Sequence, residues 1–471
     1  MHIGFTPSVY LHGNQILWVC LLMLGGCAGS SELSGPYDGI SSARERDEFS
    51  FDARVSPIIN SEIRGLVVDV AISETSITFE ERNDSLQAHL EWLIRLYSAD
   101  KSRLFDERSA RTSFVRPVRA LPSLFNLSRH QVVFAARAGK YLVEIQLEDR
   151  LSGKTSTRTL IAQFPAQNTA LTVSELSLDS ETNTPLLDIH VPFRAESTSV
   201  SFTMAGNVSR PVRTTIGLLK IQADTVAARP PYWRGPPSTA ATVTGRRIVV
   251  DTVSVISEVV LRGTAEIVST MFKIVEPGAY QFVLSVDNLA VEGGPPAVNV
   301  DRYLVVRRAR YPGVTTYTEL SAPLFYLAEP EEWEAIKVGV EPGQMVNDFD
   351  SFWGRFMTDE RRAKQTLRLY FSRVEEANVR FGGLSEGWRS DLGMVYIILG
   401  EPLFIDRSRE RETWFYSFED GRADQSFTFV TNLRSDFPAL LKPVVLERSS
   451  DYENFWRNEI RRWRRGDVTL F

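Results

Sequence analysis

The stretch GKYLVEIQLED at residues 139–149 predicts the fold, because it reads as a β-strand and has a second copy further along the chain. The second copy is GAYQFVLSVDN at residues 278–288, and both copies carry a tyrosine two residues after the first glycine, Tyr141 and Tyr280. Apolar side chains alternate with other residues along both stretches, which is typical of a half-buried strand. The repeat therefore predicts that the chain contains the same β module twice.

The glycine-x-tyrosine step before a late strand resembles the tyrosine corner of immunoglobulin-like sandwiches. This resemblance implies two tandem immunoglobulin-like β-sandwiches, which we place at residues 59–168 and 169–312. Residues 66–72 and 86–96 also alternate at period two, and they supply earlier strands for the first sandwich. One large β domain is the alternative interpretation.

Composition limits the class of protein. The chain has 471 residues, of which 43% are hydrophobic and 24% charged, and its formal net charge is -6. These values are typical of globular domains, and the length corresponds to about three of them. The mild acidity argues against nucleic acid as a partner. Neither a P-loop nor a Rossmann glycine pattern occurs in the sequence, so we predict no cofactor.

The N-terminus resembles an export signal. Residues 16–24 form an apolar run that is too short to span a bilayer and suits the core of a signal peptide at 1–26. The run leads into Leu24-Gly25-Gly26-Cys27, which resembles the lipobox of bacterial lipoproteins. In that family the cysteine thiol is acylated with palmitate or a similar chain, and the signal is cut just before it.

That resemblance implies a lipid anchor at Cys27 and a membrane of the cell envelope as its partner, with the outer membrane preferred. An ordinary secretory peptide is the alternative. Gly, Ser and acidic residues follow the cysteine, so we predict a flexible tether over 27–58. Removal of the signal would also remove Cys20, which leaves no pair of cysteines for a disulfide and no thiolate zinc site.

A proline-rich stretch, ARPPYWRGPP at residues 228–237, interrupts the second sandwich. Four prolines exclude a central strand, so we predict a long loop. Its Tyr232 and Trp233 are candidates for a partner surface. The alternative is that both aromatic side chains fold back onto their own sandwich.

Beyond Pro312 the pattern changes to helices and strands, and we place an α+β module at 320–471. A helix start is expected at Glu329-Pro330, a short helix at 348–356, and a longer helical stripe at 367–381 that ends in a left-handed glycine cap. Strands are expected at 394–399, 413–416 and 426–430. A basic aromatic helix is expected near residues 452–465, packed on this module, with an anionic membrane as the alternative contact.

The stretch GWRSDLGMVYIILGEP at residues 387–402 closely resembles the signature of the GWxTD-domain family, and the resemblance extends over about 324–445. That family consists of exported bacterial proteins of largely unassigned function. Ser390 stands where the family usually has threonine, and Leu392 where arginine is common. The chain is therefore expected to be a multidomain, mainly β protein: two tandem immunoglobulin-like β-sandwiches followed by a C-terminal α+β GWxTD module.

Two interpretations of the motif remain open. In the first, Trp388 closes the core while Ser390 and Asp391 bind loop N–H groups, as polar side chains do at turns. In the second, Trp388, Asp391 and Glu401 line a ligand groove.

Enzyme signatures are weak. GLSEG at 383–387 matches a hydrolase nucleophile string, but a helix precedes it and no histidine follows residue 190. The histidines left after signal removal are too scattered for metal ligation, so no metal site is predicted. Paired acids among Asp391, Glu401 and Glu412 could cleave a glycoside, as in an envelope polysaccharide hydrolase.

Three functions follow. The first is a non-enzymatic, lipid-anchored envelope protein that presents its GWxTD module to a protein partner. The second is the polysaccharide hydrolase. The third is a carbohydrate- or peptide-binding surface that uses Trp388, Trp414 and the Tyr232-Trp233 loop.

Overall fold

The structure is a computed structural model. It describes the following residues: 49, 51–59, 64–117, 127–137, 139–164, 172–173, 176–178, 190–192, 197–208, 212–222, 226–235, 246–257, 261–288, 298–338, 351–355, 357, 359–408, 410–418, 422–432, 437 and 441–468. The expected signal peptide, Cys27 and the tether up to residue 48 lie outside these residues.

Two antiparallel sheets form the first module, which runs from Phe49 to Phe164. Its strands are β1 Asp52–Ile59, β2 Arg64–Ser73, β3 Glu80–Arg82, β4 Ser85–Ser98, β5 Leu104–Pro117, β6 Leu127–Ala135, β7 Gly139–Asp149 and β8 Thr155–Phe164. One sheet has the order β1-β2-β6, and the other has β3-β4-β7-β8 with β5 also paired to β4. The inward side chains of both sheets, including the fully buried Trp92, share one apolar core.

The second module, from Thr172 to Arg307, repeats this arrangement. Its strands are β9 Thr172–Val173, β10 Ser177–Leu178, β11 His190–Pro192, β12 Ser197–Val208, β13 Val212–Gln222, β14 Arg246–Ser257, β15 Leu261–Lys273, β16 Gly278–Asn288 and β17 Val298–Arg307. β12 pairs with β15 as β2 pairs with β6, and the neighbours β14-β13-β16-β17 match β5-β4-β7-β8. A separate apolar core lies between the two sheets.

Both repeated tyrosines form the expected corner. The Tyr141 hydroxyl donates a hydrogen bond of 2.7 Å to the carbonyl of Arg137, and the Tyr280 hydroxyl donates one of 2.8 Å to the carbonyl of Glu276. Each bond ties the start of a late strand to the backbone four residues upstream, as in immunoglobulin-like sandwiches. The predicted multidomain, mainly β fold is confirmed.

The C-terminal module, from Tyr317 to Val468, packs helices against a four-stranded antiparallel sheet. Its helices are α1 Tyr317–Ser321, α2 Pro330–Val338, α3 Glu360–Phe381, α4 Asp391–Leu399 and α5 Tyr452–Arg465. The sheet has the order β18 Phe404–Arg407, β19 Arg411–Tyr416, β20 Gln425–Thr431 and β21 Val444–Leu446. The expected strands near 413–416 and 426–430 and the helix start at Pro330 are therefore confirmed. Of the expected short helix at 348–356, residues 351–354 are helical, and 348–350 and 356 lie outside the described residues.

The strand expected at 394–399 is wrong, because this segment is the helix α4. β-branched residues favoured a strand, but the Ser390 side chain caps the helix and Gly400 ends it at φ 88°. α4 is apolar almost all round because the module buries it on every side. The cap after α3 also differs from expectation, because Gly382 is extended (φ -64°, ψ 140°) and not left-handed.

The predicted end of the tether at residue 58 is wrong. Phe49 and Phe51 are 2% and 1% exposed in the core of the first module, and β1 starts at Asp52. The backbone N–H of Phe49 donates to the Ser156 hydroxyl over 2.8 Å, and that hydroxyl donates back to the Phe49 carbonyl over 2.6 Å. The folded region therefore includes Phe49, ahead of the predicted boundary.

The C-terminal helix α5 packs on its own module, as expected. Trp456 and Trp463 are 3% and 0% exposed, while Arg457, Arg461 and Arg465 point to solvent. Within the described ranges, the helices are all too short or too polar to cross a bilayer.

Candidate functional site

The GWxTD stretch forms a tight corner between α3 and α4. A single 3₁₀ turn, Gly387–Arg389, joins them. A Cβ atom on Gly387 would lie 2.0 Å from the carbonyl oxygen of Ala377, and one on Gly393 would lie 2.0 Å from the carbonyl oxygen of Gly387. Backbone therefore touches backbone at both positions, and this contact explains why the stretch needs two glycines.

Ser390 is the N-cap of α4. Its Oγ accepts a hydrogen bond of 2.9 Å from the N–H of Gly393 and donates one of 2.7 Å to the carbonyl of Gly387. Any side chain with a hydroxyl at this position can do the same, and that accounts for serine in place of the usual threonine. Ser390 therefore serves to start the helix.

Asp391, the first residue of α4, is 4% exposed and fully paired. Its Oδ1 lies 2.5 Å from Nη2 of Arg448, and its Oδ2 accepts bonds from Nη1 of Arg448 at 3.1 Å and from the N–H of Leu446 at 2.8 Å. The guanidinium is buried too, at 9% side-chain exposure. A buried carboxylate at a helix N-terminus is stabilised by such a bidentate partner and by the helix dipole.

Trp388 lies in the core and does not line a groove. The ring is 3% exposed, its Nε1 donates 2.9 Å to Glu386, and its carbonyl accepts 2.7 Å from the Tyr326 hydroxyl. The fully buried Asn378 of α3 accepts from the Trp388 N–H at 3.2 Å and donates to the Pro312 carbonyl at 3.1 Å. These bonds satisfy the polar groups of the corner internally.

Glu401, the second carboxylate candidate, is separated from Asp391. Glu401 follows the C-terminus of α4, and a nine-residue helix spans about 13 Å, so the two acids lie at its opposite ends. Glu401 forms two bonds of 2.9 Å with Arg380, and Glu412 accepts from the Nε1 of Trp414. The expected pairing of Asp391 with Glu401 in one cleft is therefore wrong, because retaining and inverting glycosidases hold both carboxyl groups about 5–10 Å apart. A pairing that involves Glu412 stays a prediction.

The aromatic platform predicted for a carbohydrate is also wrong in two of its members. Trp388 is buried, and Trp414 is 1% exposed between Phe381 and Phe429, with ring centroids 5.4 and 5.0 Å away. Of the predicted aromatic residues, Trp233 is exposed, at 41%, and Tyr232 is half-buried.

Arg373 was not predicted, and it completes the electrostatics of α4. Its Nη1 donates 3.2 Å bonds to the carbonyls of Ile397 and Ile398 at the last turn, and its guanidinium lies 5.3 Å from the Trp463 ring. Burial lowers the pKa of this guanidinium from its usual value. With Asp391 at the other end, α4 therefore carries an anion at its N-terminus and a cation at its C-terminus, the arrangement that the helix dipole favours.

The proline-rich loop of the second module docks on this corner. The N–H of Ala228 donates 3.0 Å to the carbonyl of Arg389, and Arg448 donates to the carbonyls of Arg229 at 3.0 Å and Pro230 at 3.3 Å. The N–H of Ser449 adds a bond of 3.1 Å to the carbonyl of Pro231. We expected Tyr232 to reach a separate partner or its own sandwich, but it packs on the C-terminal module.

A second contact joins the same two modules. The outer face of the sheet of β16 and β17 carries Tyr303 and Val305, which pack with Phe437 and Leu441 of the C-terminal module. The rings of Tyr303 and Phe437 are 5.6 Å apart. Arg307, at the end of β17, donates to the carbonyls of Ser385 (3.2 Å) and Gly383 beside the motif. The polar corner and this apolar contact therefore hold the second and C-terminal modules together.

The polar side chains of this corner make structural contacts within the protein. Among the described residues, no group of three or more His, Cys, Asp or Glu side chains is placed to hold a metal ion. The side chains of Ser390, Asp391 and Arg448 all bind backbone groups or one another. Sequence reasoning missed Arg448 because it lies 57 residues from Asp391, and no local pattern marks such a pair.

Residues 297–465 match the family model of the GWxTD domain, so the C-terminal part of the chain carries a GWxTD domain. The match starts earlier than the sequence resemblance and takes in β17, a strand of the second module's sheet. No curated protein matches the chain. Among solved structures, the crystal structure of red sea bream transglutaminase is similar at 12% identity and a TM-score of 0.18. That match covers 56% of this chain but only 31% of the transglutaminase chain, and a likeness this small supports no argument about fold or activity.

Proposed function

We propose that the chain is a non-enzymatic lipoprotein of the bacterial envelope, anchored through Cys27, whose two sandwiches support a GWxTD module that contacts another protein. The observation that carries the proposal is the use of Asp391: its carboxylate binds Arg448, and Arg448 binds the loop of the second sandwich. The acid of the motif thus serves to join modules, and this role suits a support better than a catalyst.

The proposed envelope location depends on Leu24-Gly25-Gly26-Cys27 and on the polar stretch that follows it. The stretch between Cys27 and Phe49 is long enough to hold the first folded residue some tens of ångströms from the bilayer, at up to about 3.5 Å per residue. A lipid at one end and a folded stack at the other would place the GWxTD module away from the membrane. We prefer the outer membrane because Ala28 does not resemble an inner-membrane retention signal.

The first test concerns the anchor. Cells that express the full chain are fed an alkyne analogue of palmitate, and the protein is analysed by mass spectrometry. We expect a lipid-modified cysteine at the mature N-terminus, and no label on the Cys27→Ser variant. An unmodified N-terminus with an intact signal peptide would refute both the lipid anchor at Cys27 and the proposed location in the envelope.

The second test concerns the role. Crosslinking in intact cells and purification should enrich a protein partner with the lipidated chain relative to the mislocalised Cys27→Ser control. Release of reducing ends from peptidoglycan by the purified chain, lost in Glu401→Gln or Glu412→Gln, would overturn the non-enzymatic assignment.

A further inference from the structure

The loop of the second module sits on the GWxTD corner in the way that a peptide ligand sits on its receptor. Ala227 and Ala228 are 7% and 0% exposed, and Pro231 is buried as well. The alanines and Tyr232 join the apolar cluster of the C-terminal module, which is distinct from the core of the sandwich that supplies the loop. The loop therefore buries its side chains in a surface that belongs to another module.

The main chain of the loop is recognised group by group. Pro230 and Pro231 have no N–H, so this segment can only offer carbonyl oxygens, and the C-terminal module meets them with donors. Arg448 and the N–H of Ser449 supply those donors to three successive carbonyls, from residue 229 to residue 231. Domains that recognise proline-rich peptides also bind a stiff segment with few N–H donors, and they contact it with hydrogen-bond donors and aromatic rings.

Side-chain contacts extend the match on both sides. The Arg229 guanidinium lies 5.8 Å from the ring of Phe325, and the Tyr232 ring lies 5.2 Å from the guanidinium of Arg457. These two cation–π pairs run in opposite senses, because the loop supplies the cation in one and the ring in the other. Arginine at the first position and an aromatic residue at the fourth are therefore both recognised.

The N–H of Trp233 donates 3.0 Å to the carbonyl of Pro230, so the loop turns at its prolines. We propose that the GWxTD corner is a binding site for Arg-Pro-Pro-aromatic segments that make this turn, and that the chain's own loop at 228–232 is the ligand that occupies it in this structure. A partner protein that carries such a segment would compete with the loop. This proposal deepens the protein-contact role proposed above and rests on it for the biological partner. Asp391 acts here as a positioning residue, because its two carboxylate oxygens bind Nη1 and Nη2 of the same Arg448 guanidinium that donates to the loop carbonyls.

The test is a binding titration with a labelled peptide. The probe is the fluorescein-labelled sequence of residues 227–235, AARPPYWRG. The receptor is the full chain with Cys27→Ser and a loop made non-binding by Arg229→Ser, Pro230→Gly, Pro231→Gly and Tyr232→Ser. Saturable binding by fluorescence anisotropy is expected. The unaltered loop should weaken it by about tenfold or more, because a tethered ligand has an effective concentration in the millimolar range.

Two further variants locate the site on the loop-altered chain. Arg448→Met should abolish binding, and Arg448→Lys, which keeps the charge but loses the fork, should weaken it. The matched control is Arg411→Met, an exposed arginine of the same module that pairs with Glu447 at 2.7 Å, and it should bind as the parent does. Equal binding by Arg448→Met, or no saturable binding by a loop-altered chain with native tryptophan fluorescence, overturns the proposal.

If the loop-altered chain fails to fold, a protease measurement on the unaltered chain tests whether a peptide can displace the loop from the corner. Trypsin can cut the unaltered chain after Arg234, which is exposed, whereas the bond after Arg229 precedes a proline. Millimolar unlabelled peptide AARPPYW should displace the loop and speed this cleavage, and a scrambled peptide should not. An unchanged rate with both peptides overturns the proposal. Neither assay needs the lipid, so a negative result here leaves the anchor to be decided by its own experiment.

Discussion

Replacement of Asp391 by asparagine tests whether the motif's acid is structural. Asn keeps one oxygen for the N–H of Leu446, but it removes the charge opposite Arg448 and turns an NH₂ group toward the guanidinium. Arg448 then stays buried without its counter-charge, and loss of one partner of a buried pair costs about 3–5 kcal/mol. We expect Asp391→Asn to lower the free energy of unfolding of the C-terminal module by about 3 kcal/mol.

The assay is urea unfolding followed by tryptophan fluorescence. Six of the nine tryptophans report on this module: Trp333, Trp353, Trp388, Trp414, Trp456 and Trp463. A double-mutant cycle with Arg448→Met separates the pair from its surroundings. Because the double variant leaves no unpaired buried charge, it should be more stable than the sum of the single variants predicts, with a coupling energy of about 2 kcal/mol.

A small effect would refute this reasoning. If Asp391→Asn lost less than about 1 kcal/mol, or if the coupling with Arg448 fell below about 0.5 kcal/mol, the carboxylate would not be held as we describe. Its burial would then call for another function, and the chemical role set aside above would have to be considered again. Glu447→Gln is the matched control, because Glu447 pairs with Arg411 at 2.7 Å and both side chains are about half exposed, so this variant should lose at most about 1 kcal/mol.

Three more predictions concern stability. Gly387→Ala and Gly393→Ala should each cost about 3 kcal/mol or more, since the added Cβ meets backbone at 2.0 Å, and Gly383→Ala, with nothing within 4 Å, should melt as the parent does. Ser390→Ala should lose about 1 kcal/mol in urea unfolding and Ser390→Thr much less, whereas equal losses would exclude capping. Burial raises the pKa of Tyr280 to about 12 from 10.0 in the folded chain, so its contribution to stability is complete below pH 10 and is lost as the pH rises toward 12. Alkaline unfolding curves should show this loss, and Tyr280→Phe should reduce it.

Local patterns made the sandwiches predictable. Period-two alternation and the glycine-x-tyrosine step report on residues a few positions apart, and both features were correct in β7 and β16. The same rule failed for α4, because an apolar segment that is buried on every side has no polar face to reveal its period. The cap at Ser390 was the available signal, since a serine three residues before a close-packed glycine starts a helix here.

Long-range pairs explain the rest of what sequence reasoning missed. The bond between Arg448 and the Arg229 carbonyl joins residues 219 positions apart, and the Phe49 backbone binds Ser156 over 107 positions. Neither pair has a spacing that a single sequence can mark. The sequence therefore marked the motif at 387–402 as a candidate site, but it did not show which distant residues its side chains bind.

The packing of Tyr303 and Val305 against Phe437 has a practical consequence for cutting this protein into pieces. A fragment that begins at Pro312 would leave behind Arg307 and the β17 face, and would expose aromatic surface to water. The second sandwich alone would expose its own side of this contact, Tyr303 and Val305, to water. Exposed apolar surface of this kind promotes association. We therefore expect clean, monodisperse samples from pieces that keep residues 172–468 together, and aggregation from pieces that separate the second module from the C-terminal module.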